Sequence, residues 1–174
     1  AFTLDTIAPG APSLAEQGTT KLADGFLNAA EASSTNFRVS LGTSLAVAGD
    51  SVELLLNGSH FGTAKTTTLS QTNVDNHYVD FTVAQADLGA DGAKALTARI
   101  TDIAGNVSSA SAPVSFTLDT VSPVLASAKA SHTFITLTFT ESNGIDAAHL
   151  PATTAFDVEV TAPGDNPATD AFRV

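Results

Sequence analysis

Apolar and polar residues alternate with a period of two along most of this chain, and few folds accommodate that pattern. Asn36-Phe-Arg-Val-Ser-Leu41, Tyr78-Val-Asp-Phe-Thr-Val83 and Ala95-Leu-Thr-Ala-Arg-Ile100 carry it, as do Val114-Ser-Phe-Thr-Leu118 and Phe134-Ile-Thr-Leu-Thr-Phe139. Side chains of a strand point alternately to its two faces, so each segment reads as a strand with one buried face. Ser51-Val-Glu-Leu-Leu-Leu56 runs into Asn57-Gly58, a strong hairpin signal, and a partner strand is expected around residues 60–66. Turn clusters at Gly49-Asp50, Asp75-Asn76, Asp91-Gly92 and Gly105-Asn106 separate the strands at steady intervals. Helix is expected only as short turns, within Leu22–Ala32 and Ala84–Leu88.

A second feature divides the chain. Phe2-Thr-Leu-Asp5-Thr6-Ile-Ala-Pro9 returns as Phe116-Thr-Leu-Asp119-Thr120-Val-Ser-Pro123, an offset of 119 − 5 = 114 residues. An echo at domain-sized spacing predicts a tandem array with this octapeptide as the joint between units. Its order reads as the end of a last strand, a polar hinge carrying a carboxylate, and a stiff start to the next unit. Residues 1–8 then close a preceding repeat, 9–118 form one complete domain, and 119–174 open a second, incomplete one. About seven strands in roughly 110 residues make the fold class all-β, with immunoglobulin-like β-sandwich repeats in tandem. The second unit is expected to stop short of its final strands, leaving an open sheet edge through which copies could self-associate.

Composition narrows the function classes. The net charge is −11, and an acidic chain lacks the basic footprint that nucleic-acid binding requires. No apolar run approaches the roughly 20 residues of a membrane helix, so membrane insertion is not expected. No signal peptide is evident, as expected of an internal segment. Cysteine is absent. An exported array without disulfides needs another cross-link, and metal ions are the natural substitute. Thirteen of the 18 acidic residues are Asp, a turn former and a short hard-oxygen ligand.

The acids gather where the joints are expected. In such a sandwich the loop between the last two strands lies where the chain enters, and the loop between the first two lies where it leaves. Asp102-Ile-Ala-Gly105-Asn106 is therefore expected beside Asp5, and Asp24-x3-Asn28-x2-Glu31 near Asp119. Two carboxylates and an amide oxygen converging on a hinge repel unless a cation sits between them, and Ca2+ takes such mixed oxygen donors. Asp5, Asp102 and Asn106 are thus candidate ligands, and Asp24, Asn28 and Glu31 form a second group. Plain alternatives stand beside both: the 102–106 loop as an ordinary Asx turn, and Asn28 with Glu31 as a helix capping box. The four histidines, His60, His77, His132 and His149, are scattered and do not predict zinc. Asn57-Gly-Ser59 and Asn106-Val-Ser108 match glycosylation sequons, but both sit in turns that explain themselves. No catalytic motif is present, and an enzyme is not expected.

Three motifs carry a resemblance to a known family. The joint Leu-Asp-Thr-x-x-Pro is similar to an inter-repeat linker. Asn28-Ala-Ala-Glu31 is similar to a segment near the start of such repeats, and Asp102-Ile-Ala-Gly105-Asn106 to the loop before their last strand. The chain resembles the bacterial Ig-like extender repeats of giant type I-secreted (RTX) adhesins. From Ser122 onward, Thr136-Leu-Thr-Phe139 and Leu150-Pro-Ala-Thr-Thr-Ala155-Phe156 look like a SwmB-type repeat of bacterial surface proteins. The resemblance implies a secreted extender at the bacterial cell surface, holding an adhesive tip outward for adhesion or biofilm formation. Its partners are neighbouring repeats of the same chain, and Ca2+ at the joints stiffens the rod. It also implies that Asp119 takes Asp5's part at the next joint, with Glu141 or Asp146 of the following unit as further ligands.

Two other classes compete. A ligand-binding adhesin module for sugar or protein is one, although with no Trp and a single Tyr, Tyr78, a sugar-stacking platform is poorly supplied. A spacer beside a secreted enzyme is the other, and only neighbouring sequence discriminates it.

Overall fold

Ten strands and three short helices are placed by the computed structural model, which describes residues 4–18, 21–131 and 134–141. The chain divides into two compact units, Ala1–Asn143 and Gly144–Val174, and every described residue belongs to the first.

Up to Asp119 this unit is a sandwich of two sheets. The smaller sheet has the order β1 (Ser13–Glu16), β3 (Thr35–Ser40), β6 (Tyr78–Val83). The larger has the order β2 (Phe26–Asn28), β8 (Val114–Asp119), β7 (Gly92–Thr101), β4 (Ser51–Leu56), β5 (Ser59–Thr68). Neighbours are antiparallel except β2 and β8, which run parallel with Asn28 opposite Asp119. The opening segment is thus split, β1 serving one sheet and β2 the other, in the manner of an immunoglobulin-like sandwich.

Alternation produces the core as expected. In β3 and β6 every second residue is buried, and the same holds for Leu96, Ala98 and Ile100 of β7. Phe37, Val39, Val52, Leu54, Leu96 and Ile100 are fully enclosed. Across the two sheets the rings of Phe37 and Phe116 stack with centroids 6.5 Å apart. Asn57 and Gly58 both take positive φ, 51° and 77°, the turn that matches the right-handed twist of a two-residue hairpin.

The helical expectation is partly corrected. Within Leu22–Ala32 only Ala29–Ala32 (α1) is helical, because Phe26–Asn28 is drawn into strand pairing with β8. Gln85–Leu88 (α3) matches its expectation. Gln71–Asn76 (α2) replaces what reads as a turn at Asp75-Asn76. Ser70 and Asn73 cap each other at its start, and His77, at φ 62°, ends it. Val74 is its only apolar residue, so no helical period announced it.

The expected strand at Phe134–Phe139 is present as β10 (Phe134–Thr140), paired antiparallel with β9 (Val124–Ser131) in a separate two-stranded sheet. The Leu150–Phe156 motif lies outside the described residues. Among the described residues no helix is long and apolar enough to cross a membrane.

Candidate functional site

The linker enters at the end of the sandwich where β4 starts and β7 finishes. Gly10 N–H donates to Ser44 O at 2.9 Å, and Asn106 Nδ2 donates to the Asp5 carbonyl at 3.2 Å. Asp102 and Asn106 form a self-closed loop. Asn106 donates its backbone N–H to Asp102 Oδ1 (2.8 Å) and its Nδ2 to Oδ2 (2.9 Å), while Gly105 N–H donates to the Asp102 carbonyl (3.1 Å). Gly105, at φ 94°, makes the tight return that lets one residue serve both oxygens. The Asn106 side-chain bond, with the loop's backbone N–H groups, outweighs burial and holds the Asp102 carboxyl below the usual carboxylate range.

Sequence reasoning placed Asp5 beside this loop, and the structure does the same. What it brings together, however, is the Asp5 carbonyl and the Asn106 amide; the Asp5 carboxylate turns to its own linker and accepts Ile7 N–H at 3.0 Å. The plain Asx-turn reading of the 102–106 loop therefore describes its bonding as it stands.

At the opposite end the chain leaves through Asp119. Its Oδ1 accepts Val121 N–H at 3.4 Å, the same two-residue Asx bond that Asp5 makes to Ile7. Asn28 lies opposite Asp119 in the β2–β8 register. Asn28 Oδ1 caps α1 by accepting Ala30 and Glu31 N–H, and Glu31 Oε2 accepts Asn28 N–H at 3.1 Å. This is the capping box that stood as the alternative to a metal group. Asp24 Oδ1 accepts Phe26 N–H at 2.9 Å, ordering the turn into β2. Glu141 follows β10 and is half-buried, and Asp146 lies outside the described residues.

One residue at this end escaped the sequence reading. Asp91, read only as part of a turn, holds the outgoing linker with both oxygens: Oδ2 accepts Thr120 N–H at 2.8 Å and Oδ1 accepts the Thr120 hydroxyl at 2.9 Å. The pairing of Gly92 with Leu118 puts Asp91 there. No local pattern reveals it, since 29 residues separate the partners.

Among the described residues no three His, Asp or Glu side chains gather closely enough to hold a metal by themselves. The joint offers hard oxygen donors, but as they lie both Asp102 carboxylate oxygens accept from Asn106 and the Asp5 carboxylate accepts from Ile7. At Tyr78, the single tyrosine, the Arg38 guanidinium covers the ring at 3.5 Å from its centroid while pairing with Asp80. One face of the ring is thereby occupied.

No curated protein sequence matches the chain. Residues 118–174 match the family model SWM_repeat, described as "Putative flagellar system-associated repeat", so the stretch that begins at the outgoing joint is similar to that repeat. Among solved structures the chain is similar to a bacterial immunoglobulin-like domain from the M. primoryensis ice-binding adhesin. The identity is 25% over 65% of this chain and 100% of that one, with a TM-score of 0.36. It is similar to a Ca2+-stabilized adhesin that helps an Antarctic bacterium bind ice, at 26% identity over 69% of this chain and 26% of that one, TM-score 0.40. The human OSCAR ligand-binding domain aligns at 16% identity over 62% of this chain and 47% of that one, TM-score 0.37. The chain thus spans 47% and 26% of the two longer structures.

Proposed function

We propose that this chain is a non-enzymatic extender, a stalk segment of a large, secreted bacterial surface adhesin. Ca2+ ions at its inter-domain joints stiffen the rod for cell adhesion or biofilm formation. The observation that carries this reading is the joint itself. The octapeptide stands at both ends of one sandwich, the chain enters at one end and leaves at the other, and Asp5 and Asp119 make the same Asx bond. Units linked in this way stack in line, which is what a spacer requires.

In this reading Asp5, Asp102 and Asn106 hold a cation at the incoming joint. Asp119 takes Asp5's part at the outgoing one, with Asp24, Asn28 and Glu31 as a second group and Glu141 or Asp146, beyond the linker, as further ligands. Ca2+ would stabilise the aligned, folded units because it binds them better than the flexible or unfolded ones.

Thermal melts in millimolar Ca2+, in Mg2+ and in chelator test it, with Asp102→Ala beside the natural chain. Calcium should raise the melting temperature and magnesium should not. Asp102→Ala should lower calcium affinity while the sandwich stays folded. A melt indifferent to calcium, or a variant that binds it as before, would remove the metal from this joint and bring the ligand-binding module forward.

A further inference from the structure

Five of the exposed large apolar residues share one end of the sandwich: Ile7, Leu45, Val47, Ile103 and Val107. Their segments are tied together there. Gly10 bonds to Ser44, Asn106 bonds to Asp5, and the register of Ser51 with Thr101 brings the loops around 47 and 103 side by side. Scattered exposed apolar residues need no explanation, but a group of them on converging loops marks a contact surface.

Two of the five, Leu45 and Ile103, are largely exposed. Leu45 is 89% exposed and sits at φ 60°, the left-handed region that a branched side chain disfavours. Asn or Gly would serve this turn better, so the leucine contributes nothing to the isolated unit. Ile103 is 73% exposed, yet its Cδ1 rests over Gly49, where an added Cβ would meet it at 2.8 Å. Ile103 thus lies over the Gly49 backbone, tying the two loops together at this end.

We infer that this apolar cap is a docking face for the outgoing end of a preceding sandwich of the same array. The inference rests on the tandem reading of the joint. Phe2–Thr6 repeats Phe116–Thr120, and the latter is the end of β8 with its clamped threonine. By the same order, residues up to Asp5 end the last strand of a preceding sandwich. Five residues, Asp5 to Pro9, then separate the two units, a reach of at most about 17 Å fully extended. Such a linker leaves the two ends facing each other. Thr6, exposed here, would meet the preceding unit's counterpart of Asp91.

The test joins a second copy of residues 9–115 ahead of Phe2 of the full chain. Because the chain contains no cysteine, Thr66→Cys in each sandwich gives two clean spin-label sites. The interlabel distance distribution is measured by pulsed EPR in chelator and in calcium, with and without Leu45→Asn and Ile103→Ser in the second sandwich. The expected result is a single narrow distribution in chelator that broadens when the two apolar residues are replaced. Melting of Leu45→Asn should be unchanged or raised, because asparagine accepts the left-handed turn, and this separates a lost contact from a lost fold. A distribution narrowed by calcium but indifferent to the substitutions would overturn the docking face and leave the calcium joint standing. One that is narrow and substitution-sensitive with no response to calcium would support docking and remove the metal. Breadth under every condition would overturn both.

Discussion

Replacing Asp91 by alanine should release the outgoing linker while leaving the sandwich closed. The residue makes two bonds to Thr120, at 2.8 and 2.9 Å, one to the backbone N–H and one to the hydroxyl. Hydrogen bonds to a charged group contribute about 1.5–3 kcal/mol each when well shielded. Asp91 is only half-buried, so water replaces part of what is lost, and the pair together contributes about 1–2 kcal/mol. That corresponds to roughly a 5- to 30-fold rise in the open population of the linker. Amide hydrogen exchange reads it directly, because the Thr120 N–H is itself a donor in the clasp. Its exchange should accelerate by about tenfold in Asp91→Ala, and less in Asp91→Asn, which keeps one acceptor oxygen. Leu118 and its pairing with Gly92 are untouched, so the amides of β8 should keep their protection. Unchanged exchange at Thr120 would refute the clasp. Equal acceleration throughout β8 would refute it differently, making Asp91 a general support of the strand rather than a hold on the linker.

Further expectations concern the sandwich itself. Phe37→Ala removes a fully buried ring that stacks on Phe116 from the opposite sheet, and should cost about 3–5 kcal/mol in a denaturant titration. A loss below about 1 kcal/mol would mean that the two sheets do not meet there. Acid should destabilise the unit. The Arg38 bond lowers the Asp80 carboxyl, and the Asn106 bond lowers that of Asp102. Burial opposes charge at Glu53 and Asp87, but bonds from His60 and Arg99 to the former, and from Lys65 and the Ala84 N–H to the latter, still bring both below their usual range. Carboxyls depressed in the folded state bind protons less tightly than in the unfolded one. Their contribution is complete above the unfolded values, about pH 4, and fades as pH falls through the folded ones. Calorimetry should therefore find a melting temperature nearly flat from about pH 7 to 5 and falling below about 4; a rise on acidification would contradict the ion-pair assignment.

The joints show how far local chemistry reaches. Asp5 and Asp119 were recognisable as hinge residues because the octapeptide repeats, and the Asx bond each makes spans only two residues. The 102–106 loop was legible for the same reason: aspartate, glycine and asparagine at those spacings close a turn whatever surrounds them. Its bonding was less so. That both Asp102 oxygens are taken by Asn106, and that Asn106 reaches the Asp5 carbonyl rather than its carboxylate, depends on how the entering linker lies against the loop.

What the amino-acid sequence determined by itself is therefore periodic or local: strands from alternation, the Asn57-Gly58 hairpin from its φ requirements, the joints from repetition, and an Ala/Val/Leu-rich core from the buried face of each strand. The tertiary structure alone decided the rest. It converted Phe26–Asn28 from an expected helical turn into a strand parallel to β8, because an unpaired edge offers hydrogen bonds that weak helical propensity does not match. It set Asp91 on Thr120 and gathered Leu45, Ile103 and Ile7 at one end, joining residues whose sequence separation no local pattern encodes. Alternation specifies which face of a strand is buried. It does not specify which strand lies beside it, and both the clasp and the apolar cap follow from that choice of neighbour.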